Sequence, residues 1–270
     1  MSKNLDPKYS PDDLPEITDP FAYMWRCFRK VFCYVFFGIG TFLVVVFCFP
    51  ILHLIWRDKD TFKKNGRVFV AGILNFFVQT MRFVRISKYE ISDIEAMKKL
   101  ESCVIVANHP SLLDVIYTFA FVRNADCIIR AGLKSSPVSG IVKPLYIAND
   151  GDWDQMVADA KRSLDSGSNL IIFPEGTRTP RHGINPYKKG AARIALETGC
   201  NVQPLHIGGG DKYGLGKHDP FYKVHPTHSY LYRFTVLPQI KMDKYKGLSP
   251  TIAAKRLTDD MRELIDSVKD

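Results

Sequence analysis

A long apolar segment near the amino terminus limits the possible folds of this chain more than any other feature. The run from Val31 to Trp56 is 26 residues long and contains no Asp, Glu, Lys or Arg, whereas a membrane-spanning helix needs about 20 apolar residues. A signal peptide has a shorter apolar core that ends in a cleavage site with small residues, so we expect this segment to be retained. Pro50 lacks an amide donor and should kink or end the helix, which leaves Val31–Phe49, about 28 Å long at the usual helical rise.

A second apolar stretch, Val68–Val84, suits an amphipathic helix in the membrane interface, because it is interrupted by Gly72, Asn75, Gln79 and Arg82. The two stretches together predict a helical hairpin. Basic residues flank the first run on both sides, so the positive-inside rule gives no orientation. A re-entrant hairpin in one anionic leaflet stays open beside a spanning helix. A core hairpin of a soluble protein is the less favoured alternative, because soluble helices seldom run so far without a charge.

The net charge of +9 is concentrated in the same region. Residues 21–89 hold eleven Lys or Arg against two Asp, whereas residues 90–270 hold 24 basic and 21 acidic residues. The basic residues flank apolar runs and form no patch with interleaved exposed aromatics, so they indicate an anionic membrane surface and not nucleic acid as a partner. We predict three parts: a flexible tail over 1–20, a membrane-associated helical hairpin over 21–89 and one globular domain over 90–270.

From residue 101 onward, short β-rich runs alternate with helical stretches. This alternation predicts an α/β domain in which helices pack on a sheet. Several of the strands are almost wholly apolar, as expected for central strands covered on both faces. The predicted strands are Cys103–Ala107, Cys127–Arg130, Leu145–Ala148, Leu170–Phe173, Val202–Ile207 and Tyr230–Val236, and the predicted helices are Leu112–Val122, Trp153–Ser166, Lys188–Glu197 and Pro250–Lys269.

Neither the cysteines nor the histidines predict a metal site or a disulfide framework. No two cysteines have the C-x-x-C spacing, and the histidines lack the spacing of metal ligands. Cysteines in such a pattern are usually small buried side chains in a reducing compartment. The six cysteines are Cys27, Cys33, Cys48, Cys103, Cys127 and Cys200.

The segment Asn108–Asp114, Asn-His-Pro-Ser-Leu-Leu-Asp, lies where a predicted strand passes into a helix. Pro110 is natural at the start of a helix, so His109 precedes the helix and Asp114 lies in its early turns, within reach of the imidazole. A histidine whose second ring nitrogen is held by a carboxylate is suited to act as general base on a hydroxyl. The same spacing also arises when a histidine caps a helix beside an unrelated aspartate.

A second polar segment, Phe173–Arg178, follows an apolar strand and reads Phe-Pro-Glu-Gly-Thr-Arg. Pro-Glu-Gly disfavours continuation of a strand or helix, so its side chains should emerge at a strand end, where open α/β sheets bind ligands. Arg178 offers a planar fork that suits a phosphate or a carboxylate. A simple turn with a solvated salt bridge is the alternative.

The two segments in this order resemble the glycerolipid and lysophospholipid acyltransferase family. The pattern is Asn-His-x4-Asp, then Phe-Pro-Glu-Gly-Thr-Arg some sixty residues later, then Val202-x-Pro204, and the resemblance covers roughly residues 85–240. It implies an α/β fold with a mixed sheet flanked by helices, of the glycerol-3-phosphate acyltransferase type, with an N-terminal hairpin in the membrane. It also implies a catalytic domain on the cytoplasmic side of an inner or cytoplasmic-type membrane.

The resemblance implies transfer of a fatty acyl group from acyl-CoA or acyl-carrier protein to the free hydroxyl of a lysophospholipid such as 1-acylglycerol-3-phosphate. His109 would be the general base and Asp114 would orient it, with direct attack on the thioester and no metal or other cofactor. The residues that match the family's acceptor-binding positions are Arg130, Glu175, Gly176, Thr177 and Arg178. Those assigned to the acyl site are Asn108 and Pro204.

One position departs from the family's pattern. After Pro137-x-x-Gly140, the family has a strand that ends in an Arg, whereas this chain has Asn149 followed by Asp150. A phosphate with fewer cationic partners loses charge-assisted hydrogen bonds of about 1.5–3 kcal/mol each, although Lys143 or Arg178 could compensate. An acceptor without phosphate, such as a lyso-ornithine-type lipid, therefore stays open, as does a non-catalytic lipid-binding protein on the same fold.

Overall fold

The computed structural model describes residues 6–11, 14–136, 138–149 and 151–269. Pro137 and Asp150, which entered the comparison with the family's pattern, lie outside the described residues, and so does the side chain of Arg130.

The amino-terminal apolar segment forms one continuous helix from Pro20 to Ile55. It consists of α1 (Pro20–Leu43), a π-helical turn (Val44–Cys48) and α2 (Phe49–Ile55). The prediction that Pro50 could end the helix is therefore wrong. The amide of Phe49 bonds to the carbonyl of Val44, and this wider π turn relieves the clash of a proline ring with the preceding turn.

The next helix, α3 (Lys59–Phe83), runs back along the first one. Phe49 packs against Phe62 with ring centroids 5.9 Å apart, and Phe37 packs against Phe77 at 5.0 Å. These contacts pair the end of one helix with the start of the other, so the two helices are antiparallel. Among the described residues, the Pro20–Ile55 helix alone is long and apolar enough to cross a membrane. Only 11% of its apolar 18-residue stretch is buried inside the protein. Location of the pair in a membrane stays a prediction.

The rest of the described chain contains a seven-stranded sheet. The strands are β1 (Ser87–Ile91), β2 (Val104–Ala107), β3 (Ala125–Arg130), β4 (Ile147–Asn149), β5 (Asn169–Ile172), β6 (Val202–Gly208) and β7 (Tyr230–Val236). Their order across the sheet is β1-β7-β6-β2-β5-β3-β4, and neighbouring strands are parallel except β6 and β7, which are antiparallel. The predicted α/β fold with a mixed sheet flanked by helices is thus confirmed.

Helices cover both faces of this sheet. After α3, the helices are α4 (Ile94–Lys98), α5 (Asp114–Phe121), α6 (Ser139–Leu145), α7 (Trp153–Asp165), α8 (Gly190–Thr198) and α9 (Pro250–Asp266). One hydrophobic cluster joins α3 and α5 to the sheet, and a second joins α7, α8 and α9 to its opposite face.

Two elements close to the Pro20–Ile55 helix and α3 differ from the sequence prediction. Strand β1 was not predicted, because Ser87–Ile91 is short, largely polar and directly follows α3. Helix α6 was not predicted either, because it contains Gly140 and Pro144. Since α6 includes Leu145, the predicted strand Leu145–Ala148 begins later, at Ile147.

A buried ion pair fixes α3 to the sheet. The guanidinium of Arg67 on α3 bonds to the carboxylate of Asp126 on β3, and both side chains are almost fully buried. Arg67 Nη1 also donates to the hydroxyls of Ser163 and Ser168 at 3.0 and 3.1 Å, and its Nε donates to the Leu145 carbonyl at 3.0 Å. These bonds satisfy most of the donors that the guanidinium carries into the core.

Part of the amino-terminal tail is docked on the domain. Residues Pro7–Tyr9 form a 3₁₀ turn, and Tyr9 is only 4% exposed. The amide of His182 bonds to the carbonyl of Lys8, and Arg181 Nη1 bonds to the carbonyl of Tyr9, both at 3.0 Å. For these residues the structure replaces the predicted flexible tail with a packed turn, because an aromatic ring and two carbonyls find partners on the domain.

Candidate active site

The turn between β2 and α5 is fixed to the sheet by Asn108. Its Nδ2 donates to the carbonyl of Ile207 on β6 at 2.9 Å, and its Oδ1 accepts from the amide of the same residue at 2.7 Å. This two-bond contact with a neighbouring strand positions the next residue, His109, at the carboxyl edge of the sheet.

His109 and Asp114 form a hydrogen-bonded pair. The Nδ1 atom of His109 lies 2.9 Å from Oδ2 of Asp114, whose side chain is fully buried. The same carboxylate accepts from the amide of Ser111 at 2.6 Å and from its hydroxyl at 2.5 Å. An ionised carboxylate only accepts, so His109 carries its proton on Nδ1 and keeps Nε2 as the acceptor. This arrangement supplies a base that can take a proton from a hydroxyl.

A buried chain of hydroxyls extends from the pair. Because the Ser111 hydroxyl donates to Asp114, the Tyr232 hydroxyl must donate to Ser111 across their 2.7 Å contact. Burial, and then the nearby charge of Asp114, raise the pKa of Tyr232 well above its usual range, so this hydroxyl keeps its proton. The Tyr232 ring stacks on Tyr117 with centroids 4.1 Å apart, and the Tyr117 hydroxyl bonds to Ser87 instead.

Sequence reasoning missed both Ser111 and Tyr232 as site residues. Ser111 lies between His109 and Asp114 in the first polar segment, so its position in the sequence was a usable signal. Tyr232 is 121 residues away on β7, and its contact depends on strand order, which leaves no local signal.

The two polar segments are joined by Thr179. Its hydroxyl accepts from the amide of His109 at 2.8 Å, and its amide donates to the carbonyl of His109 at 2.7 Å. The Thr179 hydroxyl donates in turn to Glu175. The ring of Phe173 stacks on His109 with centroids 4.5 Å apart. The turn after β5 is thereby held against the His109–Asp114 pair.

The carboxylate of Glu175 is buried inside the turn after β5 and accepts hydrogen bonds there. Its side chain is 5% exposed and accepts from Thr179 and, at 2.8 Å, from Asn185. Burial raises the pKa of the Glu175 carboxyl, while these two hydrogen bonds oppose the rise. Glu175 does not line the large cavity described below. Its neighbours Gly176, Thr177 and Arg178 do line that cavity.

The guanidinium of Arg178 already forms hydrogen bonds with the backbone. Its Nη1 donates to the carbonyls of Leu215 at 3.0 Å and Gly216 at 2.6 Å. Burial lowers the pKa of this guanidinium, but an arginine remains charged under these conditions. Arg178 also lines the large cavity described below, and a guanidinium there can donate to an anion.

The remaining predicted residues differ in whether they line the cavity. Arg130 ends β3 and is paired in register with Asn149 on β4, and Asn149 lines the cavity. Pro204 is buried in β6, in register with Val106 of β2, and does not line the cavity. Pro204 can therefore shape the sheet beneath the site, without a direct contact in the cavity.

A cavity of about 1090 Å³ opens in front of His109. Its walls are mostly apolar and come from α1, α3, α5 and the edge of the sheet, with Phe37, Gly40, Ile73 and Phe77 among them. Polar groups, including Arg178, Lys188 and Lys217, are few. Within the part of the chain that the structure describes, no group of three or more His, Cys, Asp or Glu side chains could hold a metal ion. The geometry suits an amphiphile whose reactive group lies at His109.

Comparisons with known proteins match this chain to acyltransferases. Residues 88–208 match the family model described as Acyltransferase. The chain is 28% identical over 148 residues to the chloroplastic 1-acyl-sn-glycerol-3-phosphate acyltransferase BAT2 of Brassica napus, which covers 51% of this chain and 43% of that protein. It is also 23% identical over 187 residues to the 1-acyl-sn-glycerol-3-phosphate acyltransferase of Pseudomonas aeruginosa, and this match covers 67% of this chain and 70% of that protein.

Among solved structures, the fold matches that of the 1-acyl-sn-glycerophosphate (LPA) acyltransferase PlsC from Thermotoga maritima. The TM-score is 0.63 at 19% sequence identity, and the match covers 91% of this chain and 99% of that one. The chain spans about half the length of the plant relatives, 43% and 52% for two chloroplastic proteins.

Proposed function

Because this chain belongs to the acyltransferase family, we propose that it transfers a fatty acyl group from an acyl thioester to the free hydroxyl of 1-acyl-sn-glycerol 3-phosphate, in membrane lipid synthesis. The observation that carries the proposal is the His109–Asp114 pair, 2.9 Å apart, at the head of a large apolar cavity. The names of the relatives from Brassica napus and Pseudomonas aeruginosa support this acceptor.

The proposed reaction is a direct transfer in a ternary complex. Nε2 of His109 takes the proton of the acceptor hydroxyl while its oxygen attacks the thioester carbonyl carbon. The tetrahedral intermediate then expels the thiolate, which receives the proton from the imidazolium. A carbon–oxygen ester bond forms and the carbon–sulfur bond breaks, so no acyl-enzyme, metal or resident cofactor is required. Asp114 holds the tautomer and stabilises the imidazolium.

The other predicted site residues receive supporting roles. Gly176, Thr177 and Arg178 would contact the acceptor, while Arg130, whose side chain lies outside the described residues, stays a predicted acceptor-binding residue. Asn108 would fix the loop at the acyl site, and Glu175 and Pro204 would shape the site without touching lipid. Either acyl-CoA or acyl-carrier protein can supply the thioester.

A membrane surface is the proposed location, with the catalytic domain on its cytoplasmic side. The long helix exposes large apolar side chains that water would otherwise surround, and basic residues flank it, which suits an anionic leaflet. The exposed side chains of this helix include Trp25, Phe28, Val35, Phe42, Phe47 and Leu54.

An acceptor panel tests the proposal. The purified protein in vesicles would receive one long-chain thioester, as acyl-CoA and as acyl-carrier protein in parallel, with lysophosphatidate, other lysophospholipids and lyso-ornithine lipid. We expect lysophosphatidate to be converted to phosphatidate. Acylation of lyso-ornithine lipid alone would favour the alternative acceptor suggested by Asn149, and no acylated product at all would favour a lipid-binding protein.

Tyr232 is expected to act on the reaction through Ser111 and Asp114. Replacing Tyr232 with phenylalanine should lower kcat about 5- to 10-fold, since a hydrogen bond to this network contributes about 1 kcal/mol. KM for both substrates should stay within about twofold. Tyr117→Phe is the matched control, because it removes a buried hydroxyl from the stacked ring without touching the chain to Asp114. Equal losses in the two variants would contradict the role of Tyr232 in positioning.

A further inference from the structure

We propose that Lys188 and Lys217, which flank Arg178, hold the phosphate of the acceptor in place of the missing cation at position 149. The inference rests on the proposed function and names the side chains that recognise its substrate. It follows from which cations line the cavity and from what each of them already contacts.

Lys188 lies directly over the turn that carries Arg178. Its amide bonds to the carbonyl of Pro174 at 2.8 Å, which places it beside this turn. A Cβ added to Gly176 would lie 2.8 Å from the Lys188 Nζ, and Gly176 has φ +65°. The left-handed backbone at this position favours glycine, and the short distance shows that the Lys188 ammonium lies against Gly176.

The Lys188 ammonium is available to a ligand. No carboxylate in the described residues forms an ion pair with it, and its side chain lines the cavity together with Gly176 and Arg178. A lysine without an acidic partner at the rim of a cavity can form charge-assisted hydrogen bonds with phosphate oxygens.

Lys217 is the second lysine close to Arg178. It directly follows Gly216, whose carbonyl accepts from Arg178 Nη1 at 2.6 Å, and it also lines the cavity. Its Nζ lies 4.2 Å from the centroid of the Tyr9 ring. This cation–π contact restrains the lysine. Tyr9 is itself buried and bonds to Asn185.

Arg178 alone is poorly equipped for a phosphate monoester. Such a group carries about −1.5 to −2 charges near pH 7, and Arg178 has already used Nη1 on two backbone carbonyls. Lys143, considered from the sequence as a substitute, is exposed on α6 and does not line the cavity. Lys188 and Lys217 therefore supply the charge that the change to Asn149 removes.

Substitution of each lysine by methionine tests this inference. Methionine keeps the length of the apolar stem and removes the charge, and Lys189→Met is the matched control because Lys189 is adjacent, exposed and outside the cavity lining. Vesicles of neutral lipid remove any difference in attraction to an anionic surface. The substrates would be lysophosphatidate and 1-monoacylglycerol, which lacks the phosphate.

We expect KM for lysophosphatidate to rise about 10-fold or more in Lys188→Met and in Lys217→Met, since one charged hydrogen bond supplies at least that factor, with kcat nearly unchanged. The rate on monoacylglycerol and the kinetics of Lys189→Met should match the wild type. Unchanged KM in both lysine variants, or equal losses on the two acceptors, would overturn the inference. A wild-type protein that acylates no lysophosphatidate would instead overturn the proposed function.

Discussion

Replacing Asp114 with alanine is expected to reduce kcat about 10³-fold, within the range of about 10² to 10⁴ usual for general acid–base groups. The change removes the acceptor of the His109 Nδ1 proton, so the imidazole loses its fixed tautomer and the buried charge that stabilises the imidazolium. KM for the acceptor should change little, because Asp114 is fully buried and does not line the cavity.

An asparagine at the same position separates charge from shape. In the wild type, His109 Nδ1 and the Ser111 amide both donate to the same oxygen of Asp114, and the asparagine carbonyl can take the place of that oxygen. The NH₂ group of the asparagine then takes the place of the other oxygen, which accepts from the Ser111 hydroxyl. Asp114→Asn therefore keeps the tautomer and loses only the charge, so its kcat should lie between those of the wild type and Asp114→Ala. The measurement is kcat at equal amounts of folded, vesicle-bound protein. An Asp114→Ala variant within 10-fold of the wild type would contradict this mechanism.

Replacing Arg67 with methionine is expected to lower the free energy of unfolding by about 3–5 kcal/mol, the usual effect of removing one partner of a buried ion pair. The Asp126 carboxylate, fully buried, would remain without its main cationic partner. Burial already raises the pKa of Asp126 even with Arg67 present. The destabilisation should therefore shrink as the pH falls, because the carboxyl can then bind a proton instead of staying charged.

Two further variants make the stability measurement specific. Arg162→Met breaks an exposed ion pair with Asp159 on α7 and should cost less than about 1 kcal/mol. The double variant Arg67→Met with Asp126→Asn removes the buried charge from both sides and should recover part of the loss. Denaturant unfolding in detergent would measure all four proteins. Equal effects of Arg67→Met and Arg162→Met would show that the buried pair does not hold α3 on the sheet.

The parts of the site that sequence could predict are those formed by neighbouring residues. His109 and Asp114 lie five positions apart around a helix start, so the contact between them follows from local geometry. The turn at Phe173–Arg178 follows from an apolar strand that runs into Pro-Glu-Gly. The α/β class followed from the alternation of β-rich and helical stretches.

The parts that sequence could not predict depend on distant contacts. Thr179 joins the two segments across 70 residues, and Arg67 meets Asp126 across 59. Such pairs require the order of strands in the sheet, which no periodic pattern contains. The family's pattern grouped Glu175 with acceptor-binding residues, but it gave no sign that this carboxylate is buried and bonded to Thr179 and Asn185 within the turn.

The central claim is that His109 activates the hydroxyl of lysophosphatidate for attack on an acyl thioester. It is tested most directly by the initial rate of phosphatidate formation by the wild type and by His109→Ala, at equal amounts of vesicle-bound protein. We expect the wild type to form phosphatidate and the variant to be slower by about 10²- to 10⁴-fold. A variant that forms phosphatidate at the wild-type rate would contradict the claim.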